Sequence, residues 1–309
     1  MKIVTLTLNP AFDLHCHTKN FAPYHENLAD ITANEAGGKG VNISRALKEN
    51  GVESLALVVL GDENGDAFRR ALTADGIDTL ALEVKGRIRE NITLHTDGAP
   101  ETRISFRGFS ADASLLDAVL MRIGDMIDGD TVVTFTGSLP SGVGVPEAKR
   151  MLLAMKAKGA RIVIDSRSFS LDDIREVHPW LIKPNEEEIA LYSTHSVTDL
   201  ESASAAAREL CRQISENVMI SLGGAGAVLA TKDGVYAASA PKIEVRSTIG
   251  AGDSSIAGFL SAASEGLSYP EMLARAVSFG SAACMTEGTR PPESKDVAKL
   301  LGEVSVKSI

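Results

Sequence analysis

The residue best placed to do chemistry is an aspartate behind two glycines. The run Thr248-Ile249-Gly250-Ala251-Gly252-Asp253 leads into an amphipathic stretch expected to be helical from 254 to about 265. Glycine lets the backbone approach a ligand closely, and the first turn of a helix presents unpaired N–H groups to negative charge. A phosphate fits such a turn. Asp253 would then take the proton of an attacking hydroxyl, while the N–H groups of Gly250, Ala251 and Gly252 hold charge on a phosphoryl group in transfer. An aspartate at a helix start more commonly serves as an N-cap, and this segment alone leaves both readings open.

A second glycine-rich turn, Gly37-Gly38-Lys39-Gly40-Val41-Asn42, opens a helix expected to run to about residue 50. Backbone donors, an ammonium and an amide together suit a sugar that carries hydroxyls and a phosphate, whereas a plain tight turn with a solvated lysine is the alternative. Further on, Ser221-Leu222-Gly223-Gly224-Ala225-Gly226 ends an apolar run. Its glycines fit either close passage beside a nucleotide phosphate or a hairpin turn. In Lys183-Pro184-Asn185-Glu186-Glu187-Glu188, the three-residue spacing of Asn185 and Glu188 fits two roles. They can orient metal-bound water near phosphates, or they can form a capping box. Neither the P-loop spacing nor a G-x-G-x-x-G fingerprint is present, which removes the main support for Walker-type and Rossmann-type nucleotide sites.

Arg87, Arg89, Arg103 and Arg107 gather in two extended segments, and guanidinium groups bind phosphate bidentately. A three-residue hairpin loop between the segments would put all four on one face, and a two- or four-residue loop would split the pairs. The triplet His15-Cys16-His17 offers two potential ligands with no third beside them, and reads as a half-exposed strand.

The elements that must carry these residues follow from periodicity. Apolar, β-branched runs at 55–60, 131–136, 161–165, 180–182 and 218–222 alternate with helical stretches, the pattern of parallel strands joined by crossover helices. Two segments, about 11–33 and 87–109, break that alternation and read as a small β-lid, with a turn at Asp97-Gly98-Ala99-Pro100. With no repeat, no low-complexity tract and no linker, a single domain over 1–309 with that lid is expected. Exposed lid strands offer an edge on which two copies could pair.

A formal charge of −10 lacks the electrostatic footprint of a nucleic-acid binder, so an anionic ligand must be met by local basic groups. Hydrophobic residues at 44% and charged residues at 23% describe an ordinary packed protein. No apolar run reaches membrane-spanning length. Three scattered cysteines, Cys16, Cys211 and Cys284, suggest neither a disulfide framework nor a thiolate metal site, and fit a reducing cytoplasm.

Taken together, Gly250-Ala251-Gly252-Asp253, Gly37 to Asn42 and the Asn185/Glu188 pair resemble the signatures of the PfkB, or ribokinase-like, carbohydrate kinases along nearly the whole chain. The resemblance implies a three-layer α/β/α fold with a mainly parallel, Rossmann-like sheet and a small β-sheet lid. It implies ATP as phosphoryl donor, Mg2+, a sugar phosphate as acceptor, and Asp253 as catalytic base. Asn9-Pro10-Ala11-Phe12-Asp13 and Gly137-Ser138-Leu139-Pro140-Ser141-Gly142 are most similar to the 1-phosphofructokinase and tagatose-6-phosphate kinase branch. That similarity implies that Asp13 holds sugar hydroxyls, with Gly37, Gly38, Lys39, Asn42, Arg87, Arg89 and Arg103 around the sugar phosphate. Lys183, Asn185, Ser221, Gly223, Gly224 and Gly226 would line the nucleotide, with Glu188 reaching the metal through water. The lid segment Gly86-Arg87-Ile88-Arg89-Glu90-Asn91 is closer to the fructose 1-phosphate side of the branch. The chain departs from the branch at His25 to Asp30 and at Arg107-Gly108-Phe109, both within the expected lid. The competing expectations are a kinase for tagatose 6-phosphate or another sugar or nucleoside, and a catalytically silent sugar-phosphate sensor.

Overall fold

The computed structural model describes residues 1–192 and 197–309. The strands are β1 (Lys2–Thr7), β2 (Ala11–Thr18), β3 (Asp30–Gly37), β4 (Leu55–Gly61), β5 (Asp78–Val84), β6 (Arg89–Thr96) and β7 (Ala99–Ile104). They continue as β8 (Thr131–Thr136), β9 (Arg161–Asp165), β10 (Leu181–Ile182), β11 (Val218–Ser221), β12 (Ala227–Thr231), β13 (Gly234–Ser239) and β14 (Ser305–Ser308). A large sheet runs in the order β14-β13-β12-β11-β10-β9-β8-β1-β4-β5. From β5 through β11 every pairing is parallel, and β12, β13 and β14 close that end antiparallel. Apolar runs buried on both faces, such as the Val132, Val133 and Phe135 stretch of β8, demand helices on both sides.

Those helices divide cleanly. On one face, the Phe68, Leu116, Met151, Ile174 and Leu210 side chains bring the helices at 65–74, 114–123, 145–157, 171–177 and 200–213 onto the sheet. On the other, Ile43, Phe259, Leu273 and Leu300 seat the helices at 39–49, 251–264, 269–283 and 294–301. The result is a three-layer α/β/α fold, the expected class. Reciprocal capping boxes at Ser170/Asp173, Asp199/Ser202 and Ser268/Glu271 set three of the helix starts. Among the described residues, no helix is long and apolar enough to cross a membrane.

The small sheet, in the order β3-β2-β6-β7, is built from the two segments that break the alternation. It is two-faced. Asp13 stands opposite Glu35 and Asn91, and Thr93 opposite Arg103, so one face is polar. Leu14 stands opposite Ile92, Ile92 opposite Ile104, and Cys16 opposite Ile31, so the other is apolar. Two bulges preserve this division. The turn between β6 and β7 is the two-residue Asp97-Gly98, with Ala99 and Pro100 already in the strand, and by itself it would put Arg103 on the face away from Arg89. An irregularity between Leu94 and Thr96 adds one residue and returns Arg103 to the face of Arg89. The register at β2 and β3 shifts in the same way between His15 and Cys16.

Candidate active site

At the centre of the site, the helix Ala251–Ser264 begins earlier than its periodicity suggests, so Asp253 lies inside its first turn. The N-cap is Gly250, which has no side chain to cap with. Capping therefore does not explain Asp253, whose buried carboxylate accepts a hydrogen bond from Asn42 Nδ2 at 2.9 Å. Ser254 N–H closes the first helical bond, onto the Gly250 carbonyl. Among the described residues, the N–H groups of Gly252 and Asp253 meet no such backbone acceptor. Burial pushes the Asp253 carboxyl up to about 6, with Asp165 adding to the rise and Lys39, Asn42 and Lys183 opposing it. A carboxyl so raised is mostly ionised at neutral pH and can still take up a proton.

The helix Lys39–Glu49 starts right after Gly38, so Lys39 and Asn42 project from its first turns on one face. Lys39 Nζ reaches Asp165 Oδ2 at 2.8 Å. Asp165 ends β9, opposite Thr136 of β8, and is only 3% exposed. Ile164 stands opposite Ile182, so the register brings Lys183, the next residue after β10, alongside Asp165 on the same face. Lys183 is buried, and a Cβ built on Gly252 would lie 3.1 Å from its Nζ, so the ammonium packs directly against the turn that starts this helix. Burial would raise the Asp165 carboxyl, but the Lys183 and Lys39 ammoniums outweigh it and hold the group below the usual carboxylate range. Burial disfavours the Lys39 ammonium, and Asp165 and Asp253 more than compensate, leaving it above its ordinary value.

On one side of Gly252 opens a cavity of about 630 Å³. Asn185, Ser221, Gly223, Gly224 and Gly226 line it, and Arg103 of the small sheet reaches its edge. The Gly223 to Gly226 segment is the hairpin between β11 and β12, closed by Leu222 N–H on the Gly226 carbonyl, so the hairpin and the cavity wall are one structure. Asn185 and Glu188 form the reciprocal cap: Glu188 N–H donates to Asn185 Oδ1 at 2.8 Å and Asn185 N–H to Glu188 Oε2 at 3.2 Å. The other Glu188 oxygen accepts from Arg167 Nε at 2.8 Å. Among the described residues, no group of three His, Cys, Asp or Glu side chains could hold a metal ion. Oxygen donors such as the Asn185 and Glu188 side chains fit a cation carried in on phosphates and touched through water.

The second cluster lies on the polar face of the small sheet. Asp13 is half-buried, accepts from Asn91 Nδ2 at 2.9 Å, and is held above the usual carboxylate range by burial. A Cβ on Gly37 would fall 2.2 Å from Asp13 Oδ2, so a side chain there would displace this carboxylate. Arg89 is spent largely on bracing: its guanidinium donates to the carbonyls of Asn9 at 3.1 Å, Phe106 at 3.0 Å and Pro10 at 3.4 Å. Arg87 pairs with Glu90 at 2.5 Å on the surface. Arg107 presents its carbonyl to Asn9 Nδ2. Of the two histidines weighed as ligands, His15 is buried and stacked on His95 with 5.7 Å between ring centroids, and His17 bonds Asp97 at 2.9 Å.

Three residues in these clusters escaped the sequence reading. Asp165 had a signal, a lone acid at the carboxyl end of a buried strand, which is where α/β sheets gather ligand groups. Asn91 and Arg167 had none, because they reach Asp13 and Glu188 only through strand register and a long-range turn.

Comparison with known proteins agrees with this architecture. The model of the pfkB family of carbohydrate kinases matches residues 8–296. A 1-phosphofructokinase of Bacillus subtilis is 34% identical, over 98% of this chain and 99% of its own. One from Rhodobacter capsulatus is 32% identical over 100% and 98%. Among solved structures, the phosphofructokinase-2 of Escherichia coli in complex with substrates and products superposes with a TM-score of 0.92 at 25% identity, covering 98% of this chain and 99% of that one.

Proposed function

The chain belongs to the pfkB family of carbohydrate kinases, and from that premise we propose that it transfers the γ-phosphoryl group of ATP to the free primary hydroxyl of fructose 1-phosphate, giving fructose 1,6-bisphosphate. The observation that carries this reading is a buried carboxylate, Asp253, in the first turn of a helix whose free N–H groups border the glycine-lined cavity. The relatives named 1-phosphofructokinase support the choice of acceptor.

In the reaction so proposed, ATP lies along Gly223 to Gly226 and Gly250 to Gly252. Asp253 removes the proton of the acceptor hydroxyl as that oxygen forms its bond to the γ-phosphorus in line. The bond from the γ-phosphorus to the bridging oxygen breaks, and ADP leaves with the electron pair. The N–H groups of the helix start and the Lys183 ammonium hold the charge that develops on the moving group. Mg2+ borne by the polyphosphate, with Glu188 reaching it through water, would neutralise phosphate charge. Asp13, steadied by Asn91, would hold sugar hydroxyls, with Gly37 and Gly38 allowing close approach. Lys39, Asn42 and the arginines Arg87, Arg89 and Arg103 would surround the sugar phosphate. The small sheet would act as a lid that keeps out water competing as acceptor.

Its outer face is suited to pairing with a second copy of the chain, since Ile31, Ile104 and Phe106 are each about half exposed or more, at 65%, 49% and 50%. The three free cysteines suit a reducing cytoplasm. ADP release measured across a panel of fructose 1-phosphate, fructose 6-phosphate, tagatose 6-phosphate and free sugars tests the reading. The highest kcat/KM is expected with fructose 1-phosphate. Preference for another acceptor would replace the substrate assignment, and binding without turnover would favour a sensor.

A further inference from the structure

Two ammoniums, Lys39 and Lys183, stand within reach of the Asp253 carboxylate. A base so placed would be weakened by them, because a cation beside a carboxylate favours its deprotonated form. The same register that delivers Lys183 also delivers a second carboxylate. Asp165 stands at the end of β9 with a side chain only 2% exposed, bonded to Lys39 at 2.8 Å and flanked by Lys183. So little of it meets solvent that its charge is only weakly screened at close range.

We propose that Asp165 is a positioning residue that balances Lys39 and Lys183, and so keeps Asp253 basic enough to take the acceptor's proton. The proposal rests on Asp253 being the general base. The groups that act on Asp253 come from each element packed around it. Lys39 and Asn42 come from the helix at 39–49, Asp165 from β9, and Lys183 from the segment after β10. Of these, only Asp165 carries negative charge, so it alone can offset the two lysines. Glu188 acts on Lys39 from farther away. The arrangement also serves binding: its 2.8 Å ion pair with Asp165 holds the Lys39 ammonium at the floor of the site and keeps it from folding onto the Asp253 carboxylate.

The test is the titration of Asp253 in the ligand-free protein, followed by carboxyl-13C NMR of aspartate-labelled enzyme and assigned by loss of the signal in Asp253→Asn. In the native protein the midpoint is expected at about 6. In Asp165→Asn it should fall by about one pH unit, the scale of losing one close charge. The acid limb of the kcat/KM profile should move down with it, which a purely structural defect would not produce. Asp165→Glu, which keeps the charge, should stay near the native midpoint. A midpoint in Asp165→Asn that is unchanged or higher overturns the proposal. Should that variant fail to fold, Lys39→Met decides the matter: removing one cation must raise the midpoint, and an unchanged value overturns the proposal as well. Near-normal turnover by Asp253→Asn would remove the base assignment while leaving this titration readable, so the two failures are distinguishable.

Discussion

Asp253 and Asp13, the two carboxylates proposed to bracket the acceptor, are both pushed up by burial, yet they are held in different ways. Asp253 sits over the carboxyl ends of parallel strands, inside the first turn of its helix, with its neighbours Asn42, Lys39, Asp165 and Lys183 delivered by three separate elements of the main fold. Shifting any one of them means moving a packed strand or helix. Asp13 sits in a four-stranded sheet whose last strand, β7, is exposed along its whole length, and its partner Asn91 comes from the neighbouring strand alone. Under the proposed function the contrast divides the tasks: proton transfer would fall on an over-determined floor, recognition on a thin sheet with an exposed outer strand.

Breaking the floor should have the largest effect. Asp253→Asn keeps the shape and the Asn42 contact but cannot take a proton, so kcat should fall by at least about 100-fold, the scale of general-base loss. Circular dichroism and ATP affinity should remain close to native, and near-normal turnover would remove the floor's special status.

Breaking the small sheet should act on binding. Arg89 ties the segments at Asn9 and Phe106 together through their carbonyls. Arg89→Ala should therefore raise the KM for the sugar phosphate by about 10-fold with a small change in kcat, the pattern of lost uniform binding. It should also lower the melting temperature, because a brace to the carbonyls of Asn9 and Phe106 is lost along with the proposed ligand contact. A large fall in kcat at unchanged KM would place Arg89 with the floor.

The smallest effect on chemistry is expected from the outer face of the small sheet. Ile104→Asp puts a charge where 49% of the native side chain is exposed, so the folded monomer should tolerate it. Sedimentation velocity should show weakened self-association, with the KM rising by no more than about 3-fold through looser sheet packing. Unchanged association would assign that face no pairing role.

Most of the floor was legible in the sequence because its residues lie in short continuous runs. Gly250 to Asp253 and Gly37 to Asn42 each bring backbone donors and a functional side chain together without long-range information. The Asn185/Glu188 pair was legible as a cap, since three-residue spacing determines that contact locally. What the spacing could not reveal was that Arg167 would occupy the free Glu188 oxygen, a contact made across two loops. The polar face of the small sheet was less legible for a related reason. The two-residue turn at Asp97-Gly98 splits Arg103 from Arg89, and only a bulge near His95 reunites them. Bulges are set by cross-strand packing, and no local residue pattern announces them. The start of the helix at Ala251, not 254, was hidden because Gly250 caps it without a side chain to mark the place.

The most direct measurement is a structure of the protein with fructose 1-phosphate and a non-hydrolysable ATP analogue. The account predicts a carboxylate oxygen of Asp253 within hydrogen-bond reach, about 2.6–3.2 Å, of the acceptor's primary hydroxyl. That hydroxyl should lie in line with the γ-phosphorus, with Gly252 N–H pointing at a γ-oxygen. An Asp253 carboxylate still facing only Asn42, with the hydroxyl and the γ-phosphorus both remote from it, would contradict the account.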